Sequence, residues 1–144
     1  MSESKHPYEL FGIECGEGWK SLYQPIIDYI TKYNEEHNPE SCIYIDQIKE
    51  KFAGLRIYCS YYNVSKEYCD KLEHMIHEAE KESYNICERC GTRERVGLVK
   101  GMSWYYTFCF DCLQKIAANN NVDYTIQLDD GIYQVNKKGV KEIS

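Results

Sequence analysis

The chain has 144 residues, eight of them cysteine, with 43% hydrophobic and 28% charged side chains and a net charge of −6. That length suits one domain with a small appended module, and the balance is that of a soluble globular protein able to bury a real core. An acidic chain is poorly suited to a phosphate backbone, whose binding depends on basic side chains displacing counterions. No apolar run approaches the ~18 residues of a membrane span, so no membrane partner is expected.

The N-terminus is polar and lacks an apolar signal core, which points to a cytoplasmic setting. There, eight cysteines argue for metal binding over disulfides. The charge is uneven: residues 1–84 carry a net −7, residues 85–118 a net +2 and residues 119–144 a net −1. Fourteen tyrosines are either a codon-bias signature or an amphipathic binding surface.

Residues 1–18, broken by Gly12, Gly16 and Gly18, read as a loose lead-in. Trp19, Leu22, Tyr23, Ile26, Ile30 and Tyr33 then recur at spacings of three and four, which predicts an amphipathic helix. Ser21 is its candidate N-cap and Pro25 lies near the first turn, with the end near Glu36 before Asn38-Pro39. Residues 42–62 read as extended. Leu55, Ile57, Cys59 and Tyr61 alternate with polar or outward residues, but Ile43 and Ile45 sit on the opposite parity to Ile48 and Phe52. Either a bulge resets the pleat or residues 46–52 form a helical turn. The hairpin is expected to turn at Ala53-Gly54, where Gly can take positive φ.

A second helix is predicted from Ser65 to Ser83, with Tyr68, Leu72, Met75, Ile76 and Ala79 on its buried stripe. Next come two CxxC pairs, Cys87/Cys90 and Cys109/Cys112, separated by eighteen residues. This is the spacing of a four-cysteine zinc framework, since each CxxC turn can supply two corners of a tetrahedron. Gly91 lets the chain turn back. Val96, Leu98 and Val99 give one short strand and Trp104–Phe108 another, turning near Lys100-Gly101, with a helix from Cys112 to Ala118. That order resembles a treble-clef or ribbon-type zinc module. Four thiolates close the coordination shell, so the expected Zn2+ is structural rather than catalytic. Finally, Tyr124, Ile126 and Leu128 and then Ile132, Tyr133 and Val135 flank Asp130-Gly131, a hairpin signal.

The other cysteines, Cys15, Cys42, Cys59 and Cys69, lack paired spacing and read as free thiols. His74 and His77 fall opposite the apolar stripe of their helix, on a solvated face. No nucleotide-loop, serine-hydrolase or zinc-protease motif occurs, and no catalytic residue is assigned. Two basic-aromatic surfaces are candidates for a ligand or partner. One is Lys49, Lys51 and Arg56 around Phe52, which also fits charge protecting a strand edge. The other joins Arg93 and Arg95, with Arg89 and Lys100, to Trp104, Tyr105 and Tyr106. Its side chains can hold a nucleotide or single strand by stacking and charge, or the aromatics can pack the module onto the body.

The segment Lys49–Tyr58 (KEKFAGLRIY) resembles the KEKFGGLRFY-like stretch of a family of small uncharacterised phage and prophage proteins. Gly18-Trp19 upstream and the CxxCG knuckle Cys87–Gly91 downstream match in order, so the resemblance covers residues 18–112. Ala53 stands where a Gly is usual, and the second half-site is a full CxxC rather than a Cys/His pair. The resemblance implies a phage or mobile-element setting, hence a host cytoplasm, and a zinc knuckle; it carries no activity to transfer.

The expectation is therefore an α+β protein: helix, β-hairpin, second helix, four-cysteine module and C-terminal β-hairpin. Residues 1–84 form the body, 85–118 the zinc module and 119–144 a hairpin packed on the same domain. The expected role is that of a non-enzymatic accessory protein binding a host protein or a signalling nucleotide. The alternatives are a nucleic-acid-binding zinc protein, disfavoured by the net charge, and an enzyme with a dispersed site.

Overall fold

A computed structural model of the chain describes residues 12–144. Among the described residues the fold is mixed α+β, with three α-helices and two sheets. The first sheet has the order β1-β2-β3, built from Ile13–Glu14, Cys42–Lys51 and Gly54–Tyr62. Two helices, α1 (Lys20–His37) and α2 (Lys66–Glu82), pack on it. Their apolar stripes meet Ile43, Ile45, Ile48, Leu55 and Ile57 in one core that also holds Trp19. Burial of each such side chain contributes roughly 1.5–3 kcal/mol.

Both parities of β2 reach this core because a bulge interrupts the pairing with β3 between Ile45 and Gln47. Asp46 is the extra residue, and its carboxylate accepts from Ser60. An extra residue shifts the side-chain period by one, so Ile45 and Ile48 both point inward. Residues 46–51 are strand, not a helical turn.

The second sheet has the order β5-β4-β6-β7-β8: β4 is Val96–Gly101, β5 Trp104–Cys109, β6 Tyr124–Leu128, β7 Gly131–Asn136 and β8 Gly139–Glu142. Helix α3 (Phe110–Ala118) packs against it, around Val99, Phe108, Leu113, Ala117, Ile126 and Val135. The segment after residue 118 thus adds three strands rather than two, and β6 pairs directly with β4 of the cysteine segment.

Several expected boundaries move. Ile13–Glu14 forms a parallel strand against Ile48 and Lys49, so residues 13–18 are not a loose lead-in; residues 1–11 of that reading lie outside the described residues. A short 3-10 turn, Glu17–Trp19, feeds α1, and its N-cap is Trp19 rather than Ser21. Pro25 lies inside α1, where it has no N–H to donate to the carbonyl of Ser21. Tyr68 is exposed rather than on the buried stripe, standing edge-on to Tyr33 and His37. Helix α3 begins at Phe110, two residues before Cys112.

The hairpin turns are also displaced. The first turns on Phe52-Ala53 and the second on Met102-Ser103, not on Ala53-Gly54 or near Lys100-Gly101. All four turn residues have positive φ, at 51°, 70°, 51° and 67°, the pattern of type I′ turns. Gly54 and Gly101 sit beside these turns for a different reason. A β-carbon at Gly54 would fall 2.3 Å from the Tyr84 hydroxyl, and one at Gly101 2.4 Å from the Tyr124 ring.

Candidate metal centre

The sulfurs of Cys87, Cys90, Cys109 and Cys112 all lie within 4.8 Å of one another, a group that could hold a metal ion. Cys87 and Cys90 come from a tight turn between the 3-10 turn Ser83–Asn85 and β4. Its hydrogen bonds are Gly91 N–H to Cys87 carbonyl at 2.9 Å and Cys87 N–H to Thr92 carbonyl at 2.9 Å. Gly91 sits at φ +80°, the left-handed conformation that lets the chain reverse. Cys109 ends β5 and is the N-cap of α3, where its sulfur accepts the Cys112 N–H at 3.3 Å. Both thiols of the second pair therefore sit at the positive end of a helix, which favours thiolates.

Cys87 and Cys109 are buried, Cys112 is 9% exposed and Cys90 faces solvent. The Thr92 N–H lowers the Cys90 thiol below its ordinary range, whereas burial raises Cys109 and Cys112. Cys109 and Cys112 thus resist ionisation as bare groups. A cation among the sulfurs supplies the charge they lack, because metal ligation requires the thiolate.

The lead-in contributes something the sequence reading missed. Gly18 donates its N–H to the Glu88 carbonyl at 2.7 Å, Gly16 donates to the Glu88 carboxylate at 2.8 Å, and the Trp19 indole donates to the Ile86 carbonyl at 2.9 Å. These bonds clamp residues 16–19 onto the Cys87-Cys90 turn. The hairpin tip meets the same region: Glu88 N–H donates to the Thr107 carbonyl, and the Thr107 hydroxyl to the Ala53 carbonyl. Gly18-Trp19, Lys49–Tyr58 and Cys87–Gly91, far apart in sequence, form one junction.

The candidate ligand-surface residues regroup. Lys49 and Lys51 line one groove with Phe52, Trp104 and Tyr105, so parts of the two expected surfaces come together. Arg56 does not join them; it donates to the Tyr84 hydroxyl at 2.9 Å and to the Leu55 carbonyl. Arg93 and Arg95 lie at the opposite end of the β4-β5 hairpin from Trp104 and line a different groove with Glu82 and Asp130. Arg93 is bonded to Glu82, and Arg95 pairs with Asp130 at 3.8 Å while its guanidinium lies 4.5 Å from the Phe110 ring centre. His74 and His77 are exposed on α2, as their helical phase predicted. No helix among the described residues is long and apolar enough to cross a membrane.

No protein-family model matches the chain, and neither a curated protein nor a solved structure is detectably similar to it.

Proposed function

We propose that the four cysteines hold a structural Zn2+ in a treble-clef-type module, and that the protein is a non-enzymatic accessory protein of phage or mobile-element type that acts by binding. The observation that carries the metal assignment is the sulfur geometry. A tetrahedral ion with bonds of about 2.3 Å to sulfur sets a sulfur–sulfur edge of about 3.8 Å. Cys90 and Cys109 are 3.8 Å apart. A CxxC turn, a hairpin and a helix N-capped by Cys109, in that order, support the treble-clef-type reading. Four protein ligands leave no position for water or substrate, which makes the ion a staple. When bound, Zn2+ would supply folding free energy to a segment with a small core of its own, on the order of 10 kcal/mol in zinc-finger peptides.

Metal analysis of the purified protein tests this part. One zinc per chain, lost in Cys87→Ser, is expected; iron in its place, or zinc retained in that variant, overturns it.

The binding role rests on what the staple holds up. The junction sets two hairpin tips side by side with large apolar side chains in solvent: Phe52 is 70% exposed, Met102 79% and Trp104 57%. Exposed aromatic and Met side chains grouped on a soluble domain mark an interaction surface. Its partner would be a host protein or a small nucleotide. The competing nucleic-acid reading loses support because Arg93 and Arg95 are already engaged by carboxylates. A photo-crosslinking residue at position 52, compared with one at exposed position 62 on the far end of β3, tests the surface in the source cell. A defined adduct specific to position 52 is expected. Identical products from both positions, or none, would contradict the role.

A further inference from the structure

We infer that the groove between the two hairpin tips is a nucleotide site, taking the base against Trp104 and the phosphate on Lys49 and Lys51. This deepens the binding role proposed above and depends on it.

The groove encloses about 350 Å³ and is lined by Lys49, Glu50, Lys51, Phe52, Ser103, Trp104 and Tyr105. That volume lies at the small-molecule end of the range for ligand pockets. Three of its seven residues present aromatic rings. Every base has a flat π-face, so exposed rings of this kind are stacking platforms. The cations are placed to match. Lys51 Nζ lies 5.7 Å from the Phe52 ring centre, and Lys100 Nζ, outside the lining, lies 5.8 Å from that of Tyr105.

None of Lys49, Lys51 and Lys100 has a carboxylate partner among the described residues, while Arg93, Arg95 and Lys66 each do. Lys49 and Lys51 give the groove lining two ammonium groups against one carboxylate, Glu50, in a chain of net charge −6. Glu50, the carboxylate in the lining, accepts the Ala53 N–H at 2.8 Å and so supports the turn.

The backbone supplies an independent argument. Phe52 and Met102 occupy positive-φ turn positions that Asn and Gly fill at lower cost. Each such non-glycine residue carries local strain, and both project into water. Strain and exposure coincide at the two apices that frame the groove. Size and charge then select the ligand. The concave site is small, and the acidic body repels a long polyanion, so a mononucleotide or short oligonucleotide fits better than a nucleic-acid strand.

Titration of the full-length zinc-loaded protein with AMP, followed by tryptophan fluorescence and calorimetry, tests the assignment. Trp19 is fully buried and Trp104 exposed, so quenching by ligand reports on Trp104. Saturable quenching by AMP is expected. Trp104→Ala and Lys51→Ala should each weaken the calorimetric affinity about tenfold or more, while Trp104→Phe, which keeps a stacking ring, should retain it within about threefold. Ribose 5-phosphate should bind at least about tenfold more weakly than AMP. These side chains are exposed, so the variants keep the fold, which unchanged zinc content verifies.

Absence of saturation below about 10 mM AMP, or wild-type affinity in Trp104→Ala, overturns the nucleotide site. So does tight, steeply salt-dependent binding of a thymidylate oligomer without AMP binding. If AMP fails while position 52 still yields its specific adduct, the binding role stands and the nucleotide assignment alone falls.

Discussion

The hydroxyl of Thr107 donates to the carbonyl of Ala53 at 2.6 Å, and both residues are buried. This bond joins the tip of the first hairpin to the middle of β5 in the second, one hairpin from each sheet. Thr107→Val keeps the shape and removes the donor, leaving the Ala53 carbonyl without this partner. A loss of about 1–2 kcal/mol in stability is expected by urea denaturation, with Thr107→Ser closer to wild type. Equal midpoints for Val and wild type would show that the bond contributes nothing.

Metal removal should be visible at a distance from the cysteines. The Trp19 indole donates to the carbonyl of Ile86, the residue before Cys87. Chelation that releases the Cys87-Cys90 turn therefore frees a buried indole. In a Trp104→Phe background, a strong chelator should red-shift the Trp19 emission, and Cys87→Ser should show the same shift without chelator. An unshifted spectrum after verified metal loss would mean that the clamp holds without the ion.

Gly18 has no room for a side chain. A β-carbon there would lie 2.1 Å from the Cys87 carbonyl oxygen and 2.4 Å from that of Glu88. Both are backbone atoms of the cysteine turn, so relief requires moving the turn or breaking the Gly18–Glu88 bond. Gly18→Ala should cost on the order of 3 kcal/mol and speed zinc release to a competing chelator. Wild-type stability in this variant would place the lead-in elsewhere.

The Met102-Ser103 turn offers the opposite sign. Both residues are exposed at positive φ, and replacing them with Asn-Gly supplies the pair that a type I′ turn favours. A gain of about 1 kcal/mol, read as a higher thermal midpoint, is expected. A fall in the midpoint would mean that Met102 makes a stabilising contact despite its exposure.

The helices, most strands and the cysteine cluster were legible because their signals are local. A period near 3.6 needs one turn of helix to read, and a CxxC pair declares two ligands within four residues. The turns were misread for a physical reason. The sequence points to conformational freedom at Gly54 and a turn near Gly101, whereas both glycines are needed for close approach to Tyr84 and Tyr124. The strained φ values went to Phe52, Ala53, Met102 and Ser103 instead. Gly16–Gly18 reads as loose from sequence because its partner, Glu88, lies about seventy residues away. The groove was split for the same reason: Lys51 and Trp104 meet only after both sheets dock, and nothing in either segment names the other.

The clamp between Gly16 and Glu88 spans 72 residues of sequence and that between Trp19 and Ile86 spans 67. On a ribosome extending the chain at roughly 5–20 residues per second, the lead-in waits several seconds for the carbonyls that hold it. During that interval Trp19 lacks its indole acceptor and the first core lacks Ile86. Nascent folding of the N-terminal half therefore finishes only after the first cysteine turn has emerged. A stop or frameshift before that point yields a product whose Trp19 indole has no Ile86 carbonyl to donate to, a defect of the kind that quality-control proteases and chaperones meet first.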